Sequence, residues 1–345
     1  FLEKYAQWLH QAGTPEAADW ENNGRWSKNS IHQLFWNTPL GSGMDNTPRP
    51  AEEGFGWVEM SSQMVIMYHN LAELCNYLEE PEKENLFRQK AQNIGKSINR
   101  WCWNDSIGFY FDVRADGSQF YKKTSGGFWP LLAGICTEKQ AARLVAHLQN
   151  PQEFWRPIVF PTLAADEAEY QKTGGYWQGG VWAPTNVMII KGLEKYGYHE
   201  LAKRATEKYL AGMFAVFQET GTLWENYAPE QFKPGDPAKA DFVGWTGCGP
   251  IQLLIENVIG IKMNCIDQTI TWDLHRDDQH GVEKLSMGED KVSLICGAQK
   301  KGKKREISIL TETPFVLIIR NEQGEQKYAI SSGRSRINIP MNALD

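Results

Sequence analysis

Cysteine is sparse and unpatterned in this 345-residue chain: six residues, at 75, 102, 136, 248, 265 and 296, form no Cys-x-x-Cys pair and follow no regular spacing. That excludes a zinc-finger ligand set and a disulfide framework, and the six are expected to be buried thiols. Histidine is equally uninformative. The seven residues, at 10, 32, 69, 147, 199, 275 and 280, contain no His-Glu-x-x-His motif, so neither metal-assisted nor Ser-His catalysis is supported and no metal or cofactor is expected. A surplus of basic charge is also missing. The formal net charge is −6, which argues against nucleic acid or an anionic membrane as partner. The only dense basic run, KKGKKR up to Arg305, is expected to be a solvated turn tip. No apolar run approaches the roughly 18 residues needed to span a bilayer, and no signal peptide is recognisable. The chain opens on Phe1 inside a helical pattern, so its start is expected to be a processed end or a boundary within a longer polypeptide, which leaves localisation open. GSG at Gly41–Gly43 lacks the third glycine of a dinucleotide loop.

What is present is a set of short segments that place single acids among aromatic and amide side chains. SGMDNTPRP, from Ser42 to Pro50, carries Asp45; GTLWENYAPE, from Gly221 to Glu230, carries Glu225. Breaking a glycosidic bond requires one carboxylic acid to protonate the departing oxygen and a second carboxylate to activate water or attack the sugar. A third segment, GGYWQGGVWAP from Gly174 to Pro184, packs two tryptophans and a glutamine between paired glycines. Tryptophan offers a flat apolar face to a pyranose, an amide binds neighbouring hydroxyls as donor and acceptor, and glycine permits close backbone approach. The structural alternative for this segment is a Gly-rich turn entering a helix with two core tryptophans. The candidate sugar-binding set is Trp36, Asn46, Arg49, Trp129, Trp177, Gln178, Gly180, Trp182, Tyr227 and Trp245. Asp105 and Asp112, in WNDSIGFYFDV, fall in alternating residues that suggest a hairpin wall.

SGMDNTPRP followed by WVEMSSQM, YWQGGVWAPTNVMIIKGLEKYG, TLWENYAPE and GWTGCGP resembles the successive motifs of glycoside hydrolase family 63 and its trehalase-like relatives, in order and approximate spacing over about residues 25 to 260. The resemblance implies an (α/α)6 toroid that hydrolyses α-linked sugars with inversion, with Asp45 as general acid and Glu225 as general base. Trehalases proper carry a tryptophan and another aromatic residue around the acid where this chain has Met44 and Asn46, a departure that points away from trehalose as substrate. The expected carbohydrate is therefore an α-linked gluco- or manno-configured oligosaccharide or disaccharide. In such a site Asp45 is expected to be held protonated by partial burial and nearby negative charge, while Glu225 stays ionised. A phosphorylase or lyase on the same helical scaffold is one alternative, but phosphorolysis would want cations around Glu225, and its chain neighbours are Asn226 and Tyr227. A non-catalytic sugar-binding toroid is the further alternative.

Hydrophobic periodicity gives about eight helices. Met60, Met64, Met67, Leu71, Leu74 and Leu78 recur at three and four, as do Phe87, Ala91, Ile94, Ile98 and Trp101 after Pro81. Thr137 to Gln140 matches a capping box, and further helices are expected at about 1–12, 183–196, 199–218 and 249–260. A complete toroid needs twelve. Either short segments such as 27–36 and 126–136 complete the count, or the first pairs lie upstream of Phe1. Of the 14 tryptophans, 13 precede Asn264 and only Trp272 follows it. Beyond that break QTITWDL, KVSLICGA, REISILTE, PFVLIIRN and QKYAIS alternate between turn-rich pieces, which predicts an antiparallel β-domain of about five to seven strands. The expected organisation is a mainly α catalytic domain at 1–262 and a β-sandwich-like accessory domain at 264–345.

Overall fold

A computed structural model describes residues 2–12, 31–37, 42–49, 55–300, 304–321 and 323–339, and the chain divides into two compact units, Phe1–Gly249 and Pro250–Asp345. The first unit is mainly helical. Its helices among the described residues are Leu2–Ala12, Val58–Tyr77, Pro81–Ser97, Trp129–Ala133, Glu138–Gln149, Ala183–Lys195 and His199–Thr220, and Gly244–Leu253 begins in it. Val58–Tyr77 and Pro81–Ser97 form an αα-hairpin across a three-residue link, the second helix opening on a proline whose missing N–H costs nothing at that position. The buried face of the first is Val58, Ser61, Met64, Val65, Tyr68, Leu71, Ala72 and Cys75. Leu74 and Leu78, expected in the core stripe, are exposed, because the buried face follows Val65 and Tyr68 instead. The capping box at Thr137 forms as expected: Gln140 donates its backbone N–H to Thr137 Oγ1, and the Thr137 N–H donates to Gln140 Oε1 at 2.8 Å. Gly134 and Gly221 end their helices in the left-handed region, at φ 70° and 73°. Helix Trp129–Ala133, inside the short segment 126–136, packs on Ala183–Lys195, which in turn packs on His199–Thr220. Of segment 27–36, residues 27–30 lie outside the described residues, and Ile31–Gln33 form a single 3-10 turn.

Short strands stitch the loops of this unit. Four of them, β1 (Trp36–Asn37), β2 (Phe55–Gly56), β5 (Asp112–Val113) and β6 (Gln119–Phe120), form one sheet in that order. The predicted hairpin is present as β3 (Trp103–Asn104) against β4 (Phe109–Tyr110).

The second unit holds eight strands, β7 (Ile261–Asn264), β8 (Thr269–Asp273), β9 (His280–Met287), β10 (Asp290–Cys296), β11 (Arg305–Thr311), β12 (Phe315–Asn321), β13 (Gly324–Ile330) and β14 (Gly333–Ile339). They form two four-stranded sheets, ordered β14-β11-β10-β9 and β13-β12-β8-β7. Ile270, Trp272, Leu317 and Ile319 from one sheet share a buried core with Val292, Leu294, Cys296, Ile307 and Ile309 from the other. Two expectations are corrected. The strand count exceeds five to seven because β7, β9 and β14 lie at sheet edges and are too polar to stand out. The sheets are also not wholly antiparallel, since β8 pairs β12 in parallel, a pairing that a long excursion through the other sheet permits.

All six cysteines are free thiols, but only Cys75, Cys102 and Cys296 are buried; Cys248 and Cys265 are exposed, contrary to expectation. Nor is the basic run solvated throughout. Arg305, its last residue, opens β11 and is buried, donating to the carbonyls of Gly297 (2.7 Å), Arg276 and Asp278 (2.7 Å). Three backbone acceptors replace the water a guanidinium otherwise requires. No helix among the described residues is long and apolar enough to cross a membrane.

Candidate active site

The loop bearing Asp45 is fixed at its far end by a buried cluster of charge. Arg49 donates from Nε to Asp112 Oδ2 at 2.8 Å and from its two terminal nitrogens to Glu59 Oε1 and Oε2 at 3.4 Å, while its guanidinium lies 4.1 Å from the centre of the Trp57 ring. Asp112 Oδ1 also accepts the Val58 N–H at 3.2 Å, which ties the cluster to the first turn of a helix. Two carboxylates thus face one cation. Burial pushes the Glu59 carboxyl above its usual range, Arg49 pulling it down and Asp112 adding to the rise. Gly126 makes room for it, because a Cβ there would lie 2.3 Å from Glu59 Oε2.

Four residues before Arg49, Asp45 is exposed, not partly buried as expected, because its short loop turns it outward. Its neighbour Asn46 crosses to the glycine-rich segment by three bonds. The side chain donates to Gly175 O at 2.8 Å and accepts the Trp177 N–H at 2.8 Å, and the Asn46 carbonyl accepts from Gln178 Nε2 at 3.2 Å. Met44 packs beneath with Trp177 and Trp182, whose rings stack 4.0 Å apart at 8°. Trp182 precedes the Ala183–Lys195 helix and is almost fully buried, its indole N–H donating to Tyr176 O at 3.1 Å. For Trp182 the core alternative therefore holds.

Tyr176 links this segment to Glu225. Its hydroxyl donates to Glu225 Oε1 at 3.2 Å, and burial, the Glu225 carboxylate and the charge of Asp45, in that order, raise its pKa. The Glu225 carbonyl accepts from Trp245 Nε1 at 3.2 Å and from Thr246 Oγ1 at 3.4 Å, and the Trp245 ring packs on Phe242 and Trp182. Tyr227 points inward and is buried, its hydroxyl accepting the Trp224 N–H at 3.3 Å. Asn226, between them, is fully buried and donates to Pro237 O at 3.1 Å. Its Oδ1 is the contact that would stop any side chain at Gly235, where a Cβ would sit 1.8 Å away; at Gly180 a Cβ would meet Tyr176 O at 2.2 Å. Gly180 thus lets its segment turn back on Tyr176 and lets Asn226 approach from the Glu225 segment, Oδ1 lying 3.1 Å from the same Cβ position. The segment ends at Glu230, which accepts from Arg156 Nε and Nη2 at 2.7 and 2.8 Å and from the Tyr170 hydroxyl at 2.7 Å.

Among the predicted residues, contacts bring together Asn46, Trp177, Gln178, Gly180, Trp182, Glu225, Tyr227 and Trp245, and Asp45 joins them as the chain neighbour of Asn46. Trp129, half-buried on the first turn of its helix, stands outside these contacts among the described residues. Only the backbone of Trp36 is described, in β1. Tyr176 was missed by sequence reasoning, although it heads the YWQGG run; between two tryptophans a tyrosine reads as further aromatic bulk. Among the described residues no group of three or more His, Cys, Asp or Glu side chains is arranged to hold a metal.

An uncharacterized protein of Borreliella burgdorferi is 26% identical over 344 residues, 96% of this chain and 69% of that one. An uncharacterized conserved protein from Thermus thermophilus superposes with a TM-score of 0.58 at 20% identity, over 72% of this chain and 68% of that chain, a likeness of fold. The family 63 mannosylglycerate hydrolase of the same organism, in complex with glucose, covers 62% of this chain and 47% of its own at 21% identity and a TM-score of 0.49. The model of the Mannosylglycerate hydrolase MGH1-like glycoside hydrolase domain matches residues 17–246. The chain belongs to that family and is a glycoside hydrolase.

Proposed function

We propose that the chain hydrolyses an α-linked gluco- or manno-configured glycoside with inversion, Asp45 serving as general acid and Glu225 as general base. The observation that supports this reading is the Tyr176 hydroxyl, which bonds Glu225 Oε1 while Asn46, next to Asp45, bonds the backbone on either side of Tyr176, so that the segments of the two acids, 180 residues apart in the chain, are tied to one tyrosine. The bond occupies one oxygen of Glu225 and leaves the other for a water. Glu225 takes a proton from that water as it attacks the anomeric carbon, while Asp45 gives its proton to the departing oxygen on the opposite face of the ring. A bound sugar covers the exposed Asp45 and keeps bulk water from it. Inversion needs room for the water, so the carboxyl groups belong roughly 6.5–9.5 Å apart in the complex.

The exposed Trp245 and the half-buried Gln178, with the edge of Trp177, supply the sugar-facing surface; Arg49, Trp182, Tyr227 and Gly180 hold the loops from behind. We assign the catalytic region to 1–262 with its helices in an (α/α)6 ring, and an accessory role to 264–345. The description of the family, after a mannosylglycerate hydrolase, supports a small α-mannoside or α-glucoside with a short aglycone. The test is hydrolysis of such glycosides followed by NMR of the first-formed anomer. Inverted product is expected, with Asp45→Asn and Glu225→Gln each lowering the rate about 10²- to 10⁴-fold while sugar binding is largely kept. First-formed product of retained configuration, or undiminished hydrolysis by Glu225→Gln, refutes the assignment.

A further inference from the structure

The outer face of the β14-β11-β10-β9 sheet is not the plain polar surface that a sandwich turns to water. Residues alternate along each strand, so Val292, Leu294, Ile307 and Ile309 enter the core while their neighbours face outward. Register aligns the outward residues in two rungs. One runs from Arg336 on β14 through Ser308 on β11 to Ile295 on β10, and the next from Arg334 through Leu310 to Ser293. Each rung thus has an arginine at one edge, then a hydroxyl and an aliphatic side chain in the first and an aliphatic side chain and a hydroxyl in the second.

At the other edge the register of β9 against β10 shifts between Val292 and Leu294, and Lys284 sits in the left-handed region at φ 57° with its N–H donating to Ser293 Oγ at 3.0 Å. Bulges of this kind re-aim side chains, and a lysine held there is strained. Together these residues and Glu283 line a groove of about 640 Å³. With strands roughly 4.8 Å apart, four of them span about 14 Å. Three cations face one lining carboxylate in a chain whose net charge is −6. Arg336 approaches Glu306 at 3.6 Å; among the described residues neither Arg334 nor Lys284 has an ion-pair partner.

We infer that this groove is a second carbohydrate site and that it binds a carboxylate-bearing oligosaccharide. Arginine forks match carboxylates in bidentate fashion, serine hydroxyls exchange hydrogen bonds with sugar hydroxyls, and Ile295 and Leu310 accept the C–H face of a ring. No aromatic platform lines the groove, so charge selects the ligand and neutral glycans are poor ones. Holding an acidic glycan strand on the same chain as the hydrolase raises its effective concentration at the catalytic unit. The inference is independent of the roles given to Asp45 and Glu225.

The experiment is calorimetric titration of the full chain with trigalacturonate, with maltotriose and inorganic sulfate as separate probes. Binding of trigalacturonate at least tenfold tighter than of either control is expected. Arg334→Ala/Arg336→Ala should weaken it about tenfold or more, the scale for lost bonds to a charged group, and leave hydrolysis of a small α-glycoside unchanged. Glu283→Gln, which removes the only lining carboxylate, should tighten it. Equal binding of maltotriose, equally tight binding of sulfate, no binding of trigalacturonate, or an unaltered isotherm in the double variant overturns the proposal. A failure of the catalytic assignment instead shows in hydrolysis by the Asp45 and Glu225 variants.

Discussion

Replacing Arg49 by Met tests whether charge balance beneath the Asp45 loop holds this region together. Methionine keeps much of the aliphatic volume over Trp57 and removes the cation that, among the described residues, pairs with Asp112 and Glu59. The side chains involved are 1%, 9% and 6% exposed, so water reaches none of them easily. Removing one partner of such a buried pair costs about 3–5 kcal/mol, chiefly from the uncompensated charge left behind. For a unit of this size that is a fall in melting temperature of about 6–20 °C. Tryptophan fluorescence in urea is a suitable assay because 13 of the 14 tryptophans lie in the first compact unit, which makes the signal specific to it. Arg49→Met/Glu59→Gln/Asp112→Asn, which removes the orphaned charges, should recover most of the loss. The Glu59→Gln variant adds a pH signature. The folded pKa of Glu59 is raised, so its favourable contribution is full below the ordinary carboxylate range and is lost as pH rises through the folded value. Glu59→Gln should therefore gain on the parent as pH rises. An Arg49→Met protein with the parental midpoint, or a triple variant no more stable than Arg49→Met, would falsify the electrostatic account.

The sequence pattern reported the existence of elements better than the direction of side chains. Helix 199–220 was legible because Leu201, Ala205 and Met213 repeat on one face and Gly221 stops it. Strand β14, GRSRINI, was not, because an edge strand with one watered face carries too few apolar residues to register. In the candidate site, density of glycine, tryptophan and acid over ten residues marked the segments. It could not show that Trp182 and Tyr227 turn inward, since both are amphipathic rings whose orientation is set by what packs behind them. Arg49 stands among the sugar-binding candidates as part of the Asp45 segment, yet its partners Glu59 and Asp112 lie 10 and 63 residues away and reach it only through tertiary structure. Glu230 carried no signal at all, being one acid at the end of a loop.

Three further outcomes are expected. Tyr176→Phe removes the side-chain donor that bonds Glu225 and should lower kcat about 10- to 100-fold with KM little changed, since a hydrogen bond to a charged group is worth about 1.5–3 kcal/mol; an unchanged kcat sinks the idea that this bond orients the base. Gly235→Ala drives a Cβ to 1.8 Å from Asn226 Oδ1, so it should unfold several degrees earlier and lose activity, whereas a stable, active Gly235→Ala protein means the loops are free to part. Arg156→Met tests the clamp at the end of the Glu225 segment. Burial alone would raise the Glu230 carboxyl, but the bonds from Arg156 and Tyr170 outweigh it and hold the carboxyl below its ordinary range. A depressed carboxylate stabilises the fold above the ordinary carboxylate range, and that contribution is lost as pH falls through the folded value. The parent should therefore exceed Arg156→Met by about 1–3 kcal/mol at neutral pH, the scale of charge-assisted bonds in a partly exposed pair. Urea midpoints taken down to strongly acidic pH should then converge, and a gap that stays constant with pH assigns the loss to packing of the arginine stem instead.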